Sequence, residues 1–261
     1  MYIHLQHKKA FVGGATSGLG KAIAMQLAAA GASVTLVSRN EEKLRDTLAQ
    51  LAVDLDQKHD YLAVDFTDFM GYKSKIDNYF NEHIVDILVN NTNGPAAGTA
   101  LEKNSEDYRQ AFDLLFQSAS LTTSLALPHM QRQQWGRIIN LASRTVQEPV
   151  DNLVLSNAMR SAVTAWAKSL AGQVAKDNIT VNNILTGNFF TERLKSLIEG
   201  QATQKHISFE DALKQMEQQI PAGRTGRPEE MGYLVAFLAS EYAAYITGTN
   251  ITIDGGLMRS L

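Results

Sequence analysis

Short apolar or β-branched runs recur along the chain at 10–12, 33–37, 61–64, 86–89, 137–141, 180–185 and 250–253. Their length and composition predict seven strands. Between them lie stretches with apolar residues at helical spacing, at 20–30, 69–82, 105–132, 153–176 and 228–240. That alternation predicts an α/β fold, a doubly wound, seven-stranded parallel sheet of Rossmann type with helices on both faces. One nucleotide-binding domain spanning 1–261 is expected, with Pro128 at a helix break and Pro228 at a helix start.

The rhythm fails once, after the sixth run, where residues 189–221 are rich in Gln and Lys and helix-forming throughout. Leu194, Leu197, Ile198, Leu213, Met216 and Ile220 fall at helical spacings there. This segment reads as a lid-like insertion over the strand ends, where open α/β sheets bind ligands. The alternative is a pair of amphipathic surface helices with no part in binding.

Composition narrows the function classes. The 24 Lys and Arg against 27 Asp and Glu give a net charge of −3, without the basic excess that nucleic-acid binding brings. No cysteine is present, which excludes disulfides, thiolate metal sites and thiol nucleophiles. The six histidines lack ligand spacing, so no metal is expected, and His4 and His7 fall in a terminus expected to be mobile. The first nine residues lack the pattern of a secretory signal, and no run reaches the roughly 18 to 20 apolar residues of a membrane span. A cytoplasmic protein is expected.

The chemistry is concentrated after the first strand, in Gly13-Gly14-Ala15-Thr16-Ser17-Gly18-Leu19-Gly20, which runs into a helical pattern. Glycines permit a tight turn and let backbone N–H groups approach a diphosphate, and the helix N-terminus adds attraction for its charge. The candidate binders are Gly14, Thr16, Ser17, Gly18, Leu19 and Gly20. About twenty residues on, where an NAD enzyme presents a carboxylate to the ribose 2′-hydroxyl, stand Ser38 and Arg39. An arginine there suits a 2′-phosphate, so NADP is the expected cofactor.

The loop resembles the T-G-x-x-x-G-x-G of short-chain dehydrogenase/reductases, with Gly13 in place of the threonine. Asp65 resembles the family's aspartate near the adenine. The run from Asn90 to Gly94 resembles its N-N-A-G, and 246–256 resembles its C-terminal strand and turn. Nearly the whole chain follows this pattern and is similar to 3-oxoacyl-acyl-carrier-protein reductases. The resemblance implies cofactor contacts from Asp65, Asn90 and Arg160, a homodimer or homotetramer built on 105–132 and 153–176, and a small-molecule carbonyl or hydroxyl substrate.

In that family a serine polarises the carbonyl, a tyrosine exchanges the proton, a lysine holds the ribose and tunes the tyrosine, and a helix asparagine completes the site. Ser143 matches the serine, although a plain turn or cap serine is the alternative. The tyrosine position holds Ser156, the lysine position Arg160 and the asparagine position Leu115. A serine hydroxyl is a far weaker acid than a phenol, and a guanidinium does not give up its proton. Ser143, Ser156 and Arg160 are therefore the candidate catalytic groups of a short-chain oxidoreductase passing a hydride between NADP(H) and a carbonyl or hydroxyl compound, an oxoacyl compound among the candidates. The alternative is an NADP-binding sensor or partner subunit without turnover. Residues 156 and 160, one helical turn apart, share a face, so Arg160 has the reach for a ribose; a structural ion pair is its other reading. Arg144 is a further candidate for polarising an acidic substrate. Met159 and Trp166 read as core or interface.

Overall fold

Lys9–Gly13 (β1) pairs in parallel with Ser33–Ser38 (β2) on one side and with Ile87–Asn90 (β4) on the other. A computed structural model describes residues 2–260, and adds Asp60–Ala63 (β3), Gly136–Leu141 (β5), Ile179–Thr186 (β6) and Asn250–Ile253 (β7). All pairs are parallel, in the order β3-β2-β1-β4-β5-β6-β7. The order reverses between β1 and β4, and a crevice opens beyond their carboxyl ends, the usual ligand position in such sheets.

Side-chain alternation sends the central strands into two cores. Val12, Val34, Leu36, Ile87, Val89 and Ile139 meet Gly18–Ala29 (α1) and Pro228–Ala239 (α9) on one face. Phe11, Val37, Leu88, Ile138 and Val181 meet Phe69–Glu82 (α3), Ser118–Gln133 (α5) and Val154–Val174 (α6) on the other. The central strands, buried on both faces, read as continuous apolar runs, and with the half-exposed edge strands β3 and β7 all seven were predicted within a residue or two of their bounds.

Four of the expectations need correction. The stretch 105–132 is not one helix: Ser105–Phe112 (α4) passes through a π-helical turn, Asp113–Gln117, into α5. Pro128 does not break α5, which continues to Gln133. The carbonyl deprived of a donor belongs to exposed Ser124, open to solvent, and buried Ala126 and Met130 hold the flanking turns to the sheet. A short helix, Glu41–Leu48 (α2), capped by the Asn40 side chain, lies between β2 and β3, where no helical run was predicted. The N-terminal segment is docked: buried Leu5 donates its N–H to the Ala30 carbonyl at 2.7 Å. Residues 189–221 form two helices, Glu192–Lys205 (α7) and Phe209–Glu217 (α8), which share a small core of Leu194, Ile198, Ala202 and Ala212.

A chain of asparagine side chains crosses the sheet. Asn90 Nδ2 donates to Asn140 Oδ1 at 2.8 Å, Asn140 to Asn183 at 2.8 Å, and Asn183 to Asn250 at 2.9 Å, each pair directly opposite in the strand register. Every link runs in the same direction, and Asn140 and Asn183 are buried. Asn140→Leu would leave a buried carbonyl oxygen on Asn183 unpaired and remove one partner of Asn90. Leaving such groups unsatisfied costs about 1–3 kcal/mol, so the urea midpoint of this variant is expected to fall well below that of the unmodified protein.

Candidate active site

The loop after β1 folds back so tightly that side chains have no room. Gly14 and Gly18 have φ of +60° and +51°. A Cβ on Gly20 would lie 2.1 Å from the Gly14 carbonyl oxygen, and one on Gly13 would lie 2.2 Å from the Asn91 carbonyl oxygen. The Gly13 site, where the family resemblance would put a threonine, thus has no space for one. Asn91 braces the turn by donating from Nδ2 to the Gly13 carbonyl at 2.9 Å. Ser17 is the N-cap of α1 but makes no side-chain capping bond, so the first-turn N–H groups of α1 carry no such partner and face the crevice. A cradle that any Cβ would fill, with free helix-end donors, fits a diphosphate.

Beside the loop, outside the main cleft, stand residues that follow β1, β2 and β3. Thr16 and Ser38 share a hydroxyl hydrogen bond of 3.0 Å. Arg39 stands 3.9 Å from the Asp65 carboxylate, both well exposed. Asp65 accepts from the Thr67 hydroxyl at 2.7 Å and its N–H at 2.9 Å, and these bonds, helped by Arg39, hold its carboxyl below the usual carboxylate range. Its charge is already met by Thr67, so the loose contact with Arg39 leaves that guanidinium able to swing toward an incoming anion.

Ser143 follows β5 and caps the 3₁₀ turn Arg144–Val146. Its Oγ accepts from Thr145 N–H at 3.2 Å and Thr145 Oγ1 at 3.1 Å, which leaves its own O–H to donate into the cleft it lines. It is therefore both a cap and a donor. Ser156, on the first turn of α6, accepts from Arg160 Nε at 3.2 Å, and Arg160 Nη1 donates to the Leu141 carbonyl at the end of β5. Arg160 has no carboxylate within ion-pair distance among the described residues, so the structural ion pair is not what holds it. Burial and then the nearby Arg193 push its pKa down to about 10, which still leaves it charged at neutral pH.

Leu115 lies on the π-helical turn, buried, in a small pocket of about 30 Å³ that is also lined by Asn90, Tyr72 and Arg160. Asn90 faces this inner pocket and not the main cleft, and its amide N–H groups go to Asn140 and Thr123. Tyr72 is the phenol of this pocket. Its hydroxyl is engaged with Thr122, and burial pushes its pKa well above the usual tyrosine value, so it is a poor acid.

The main cleft encloses about 1420 Å³ including its open mouth. It joins Gly14, Ser17, Gly18, Leu19 and Gly20 to Ser143, Ser156 and Arg160, while Thr16, Ser38, Arg39 and Asp65 lie outside it. The start of α7 closes one wall. Thr191, the N-cap of α7, sits with its methyl 3.1 Å from where a Gly18 Cβ would be. Asn91, Thr191 and Arg193 were not singled out from sequence. Asn91 adjoins a residue that was, but the other two come to the loop only through the fold and have no local signature.

A family model described as enoyl-(acyl carrier protein) reductase matches residues 14–258. The chain is 34% identical, over 98% of its length, to the whole of the NADPH-dependent reductase BacG of Bacillus subtilis. The chain belongs to the short-chain dehydrogenase/reductase family. It is also 30% identical, again over 98% of its length, to the whole of a 3-oxoacyl-[acyl-carrier-protein] reductase, FabG of Aquifex aeolicus. Among solved structures of this reductase family, L-sorbose reductase from Gluconobacter frateurii, complexed with NADPH and L-sorbose, superposes over the full length of both chains with a TM-score of 0.93 at 28% identity. Among the described residues no helix is long and apolar enough to cross a membrane.

Proposed function

We propose that this protein is an NADPH-dependent reductase of carbonyl compounds in which Ser143 polarises the substrate oxygen and Ser156 passes it a proton from water. The observation that carries this reading is the hydrogen-bond direction at the two serines. Each Oγ already accepts from the protein, so each O–H is left to donate into the same cleft. NADPH, when bound, supplies the hydride. The glycine cradle and the α1 N-terminus would hold its diphosphate, and Ser38 and Arg39 would hold its 2′-phosphate. Ser143 donates to the carbonyl oxygen as negative charge develops there. Arg160 lends positive charge through Nε to Ser156, which makes that hydroxyl a better donor than an isolated serine, and water re-supplies the proton.

Similarity to NADPH-dependent reductases supports the cofactor, and Arg39 supports the choice of NADP over NAD. Arg39→Ala is expected to weaken NADPH binding by about tenfold to a hundredfold, the range of a lost charge-assisted contact, and to leave NADH binding nearly unchanged. Fluorescence titration of both cofactors checks it.

One observation favours the second reading, a cofactor-binding protein without turnover. The cleft lining contains no tyrosine, histidine or lysine, so a strong proton donor is absent among the described residues there. NADPH binding without consumption across a panel of oxoacyl thioesters, diketones and sugar ketones would establish that reading.

We also propose a homo-oligomer. Leu121, Leu127, Trp166 and Leu170 line a shallow groove between α5 and α6 on the outer surface, the helices through which the family resemblance pairs copies. Light scattering at micromolar concentration is expected to give a multiple of 28.7 kDa.

A further inference from the structure

The chain is acidic overall, yet its cleft is not. Arg144, Arg160 and Arg193 line it against a single carboxylate, Glu192, and Glu192 is paired with Lys195 at 2.7 Å. Arg144 reaches Glu148 only at 3.8 Å, and Glu148 is already accepting from the N–H groups of Arg259 and Ser260 at 2.7 and 2.8 Å. Arg193 and Arg160 have no carboxylate partner among the described residues. The two come from different elements, the first turn of α7 and the second turn of α6, and lie close enough for Arg193 to lower the pKa of Arg160. Arg193 rests against the bare backbone of Gly94, its two terminal nitrogens 2.8 Å from where a Cβ would stand. Two guanidiniums drawn together without a counter-charge repel, and an anion between them relieves that cost.

We propose that Arg160 and Arg193 together bind an anionic group of the substrate, so that the protein reduces an acidic carbonyl compound, an oxo acid. This rests on the reductase reading and names its substrate class. The anion would lie on the catalytic side of the cleft, because Arg160 is bonded to Ser156, which lines the cleft together with Ser143. The other anion able to reach these groups is the cofactor diphosphate, for which the glycine cradle already provides donors. A neutral ketone has no use for the excess charge.

The test is calorimetric binding of 2-oxohexanoate and 5-oxohexanoate, each beside its neutral methyl ester, to the protein with and without NADP⁺. The same titrations are run on Arg193→Gln and Arg193→Lys, whose exposed position makes misfolding no obstacle. NADPH affinity is measured separately for each. At least one acid is expected to bind about tenfold or more tightly than its ester. Arg193→Gln should abolish that preference, Arg193→Lys should keep most of it, and NADPH affinity should stay within about twofold throughout. Equal binding of acid and ester at both chain lengths would overturn the proposal. So would an Arg193→Gln variant that binds NADPH tenfold more weakly while keeping its acid preference, since the guanidinium would then serve the cofactor. Failure of NADP⁺ to bind would defeat the reductase reading, and the comparison on the cofactor-free protein would still decide this one.

Discussion

Ser156→Tyr combined with Arg160→Lys is expected to raise carbonyl reduction by about 10²–10⁴-fold, the usual contribution of a positioned general acid. The backbone is in place for it. Residue 156 is on the first turn of α6, facing the cleft, and residue 160 follows one turn later against the end of β5. A phenol at 156 has a pKa near 10, many powers of ten below a serine hydroxyl, and a lysine at 160 supplies the cation that lowers it further. Leu115→Asn belongs in a third variant, because Leu115 fills the inner pocket behind Arg160 where a polar group would hold water. NADPH consumption at 340 nm with oxo acids and diketones reads the result. High activity in the unmodified protein that the double substitution destroys would mean that position 156 does not place a phenol where it can serve the carbonyl.

Ser143→Ala is expected to lower the rate by about 10²–10³-fold, the cost of losing one donor to a developing oxyanion. The fold should be unaffected, since Ser143 is only partly buried and caps a three-residue turn. NADPH affinity should change little, which separates the loss from a cofactor defect. A variant as fast as the parent would place the carbonyl elsewhere in the cleft.

The sheet was legible because the central strands feed both cores, as Val12 and Phe11 or Ile139 and Ile138 do, so that apolar runs mark them, while the edge strands β3 and β7 keep a β-branched or apolar run with partly exposed residues. What local pattern misread was decided by tertiary contact. Pro128 sits inside a helix because packing of Ala126 and Met130 outweighs the lost bond, and the π-helical turn at Asp113–Gln117 keeps enough periodicity to hide inside one long helical signal. The glycine loop was visible since its conformation depends on residue type at each position, as the clash at Gly20 illustrates. Asn90 is a cofactor candidate by resemblance alone, and what no local pattern shows is that the register across β4 and β5 engages its amide with Asn140. Arg193 could not have been found at all, because a basic residue at the start of an amphipathic helix has no meaning until that helix is laid across the cleft beside Arg160.

The most direct test of the proposed chemistry is a crystal structure of the complex with NADP⁺. The account predicts the nicotinamide C4 facing the space between the Ser143 and Ser156 hydroxyls, with an ordered water on Ser156, and Arg39 on the 2′-phosphate. A nicotinamide turned away from Ser143, or facing a phenol brought in by rearrangement, would contradict it.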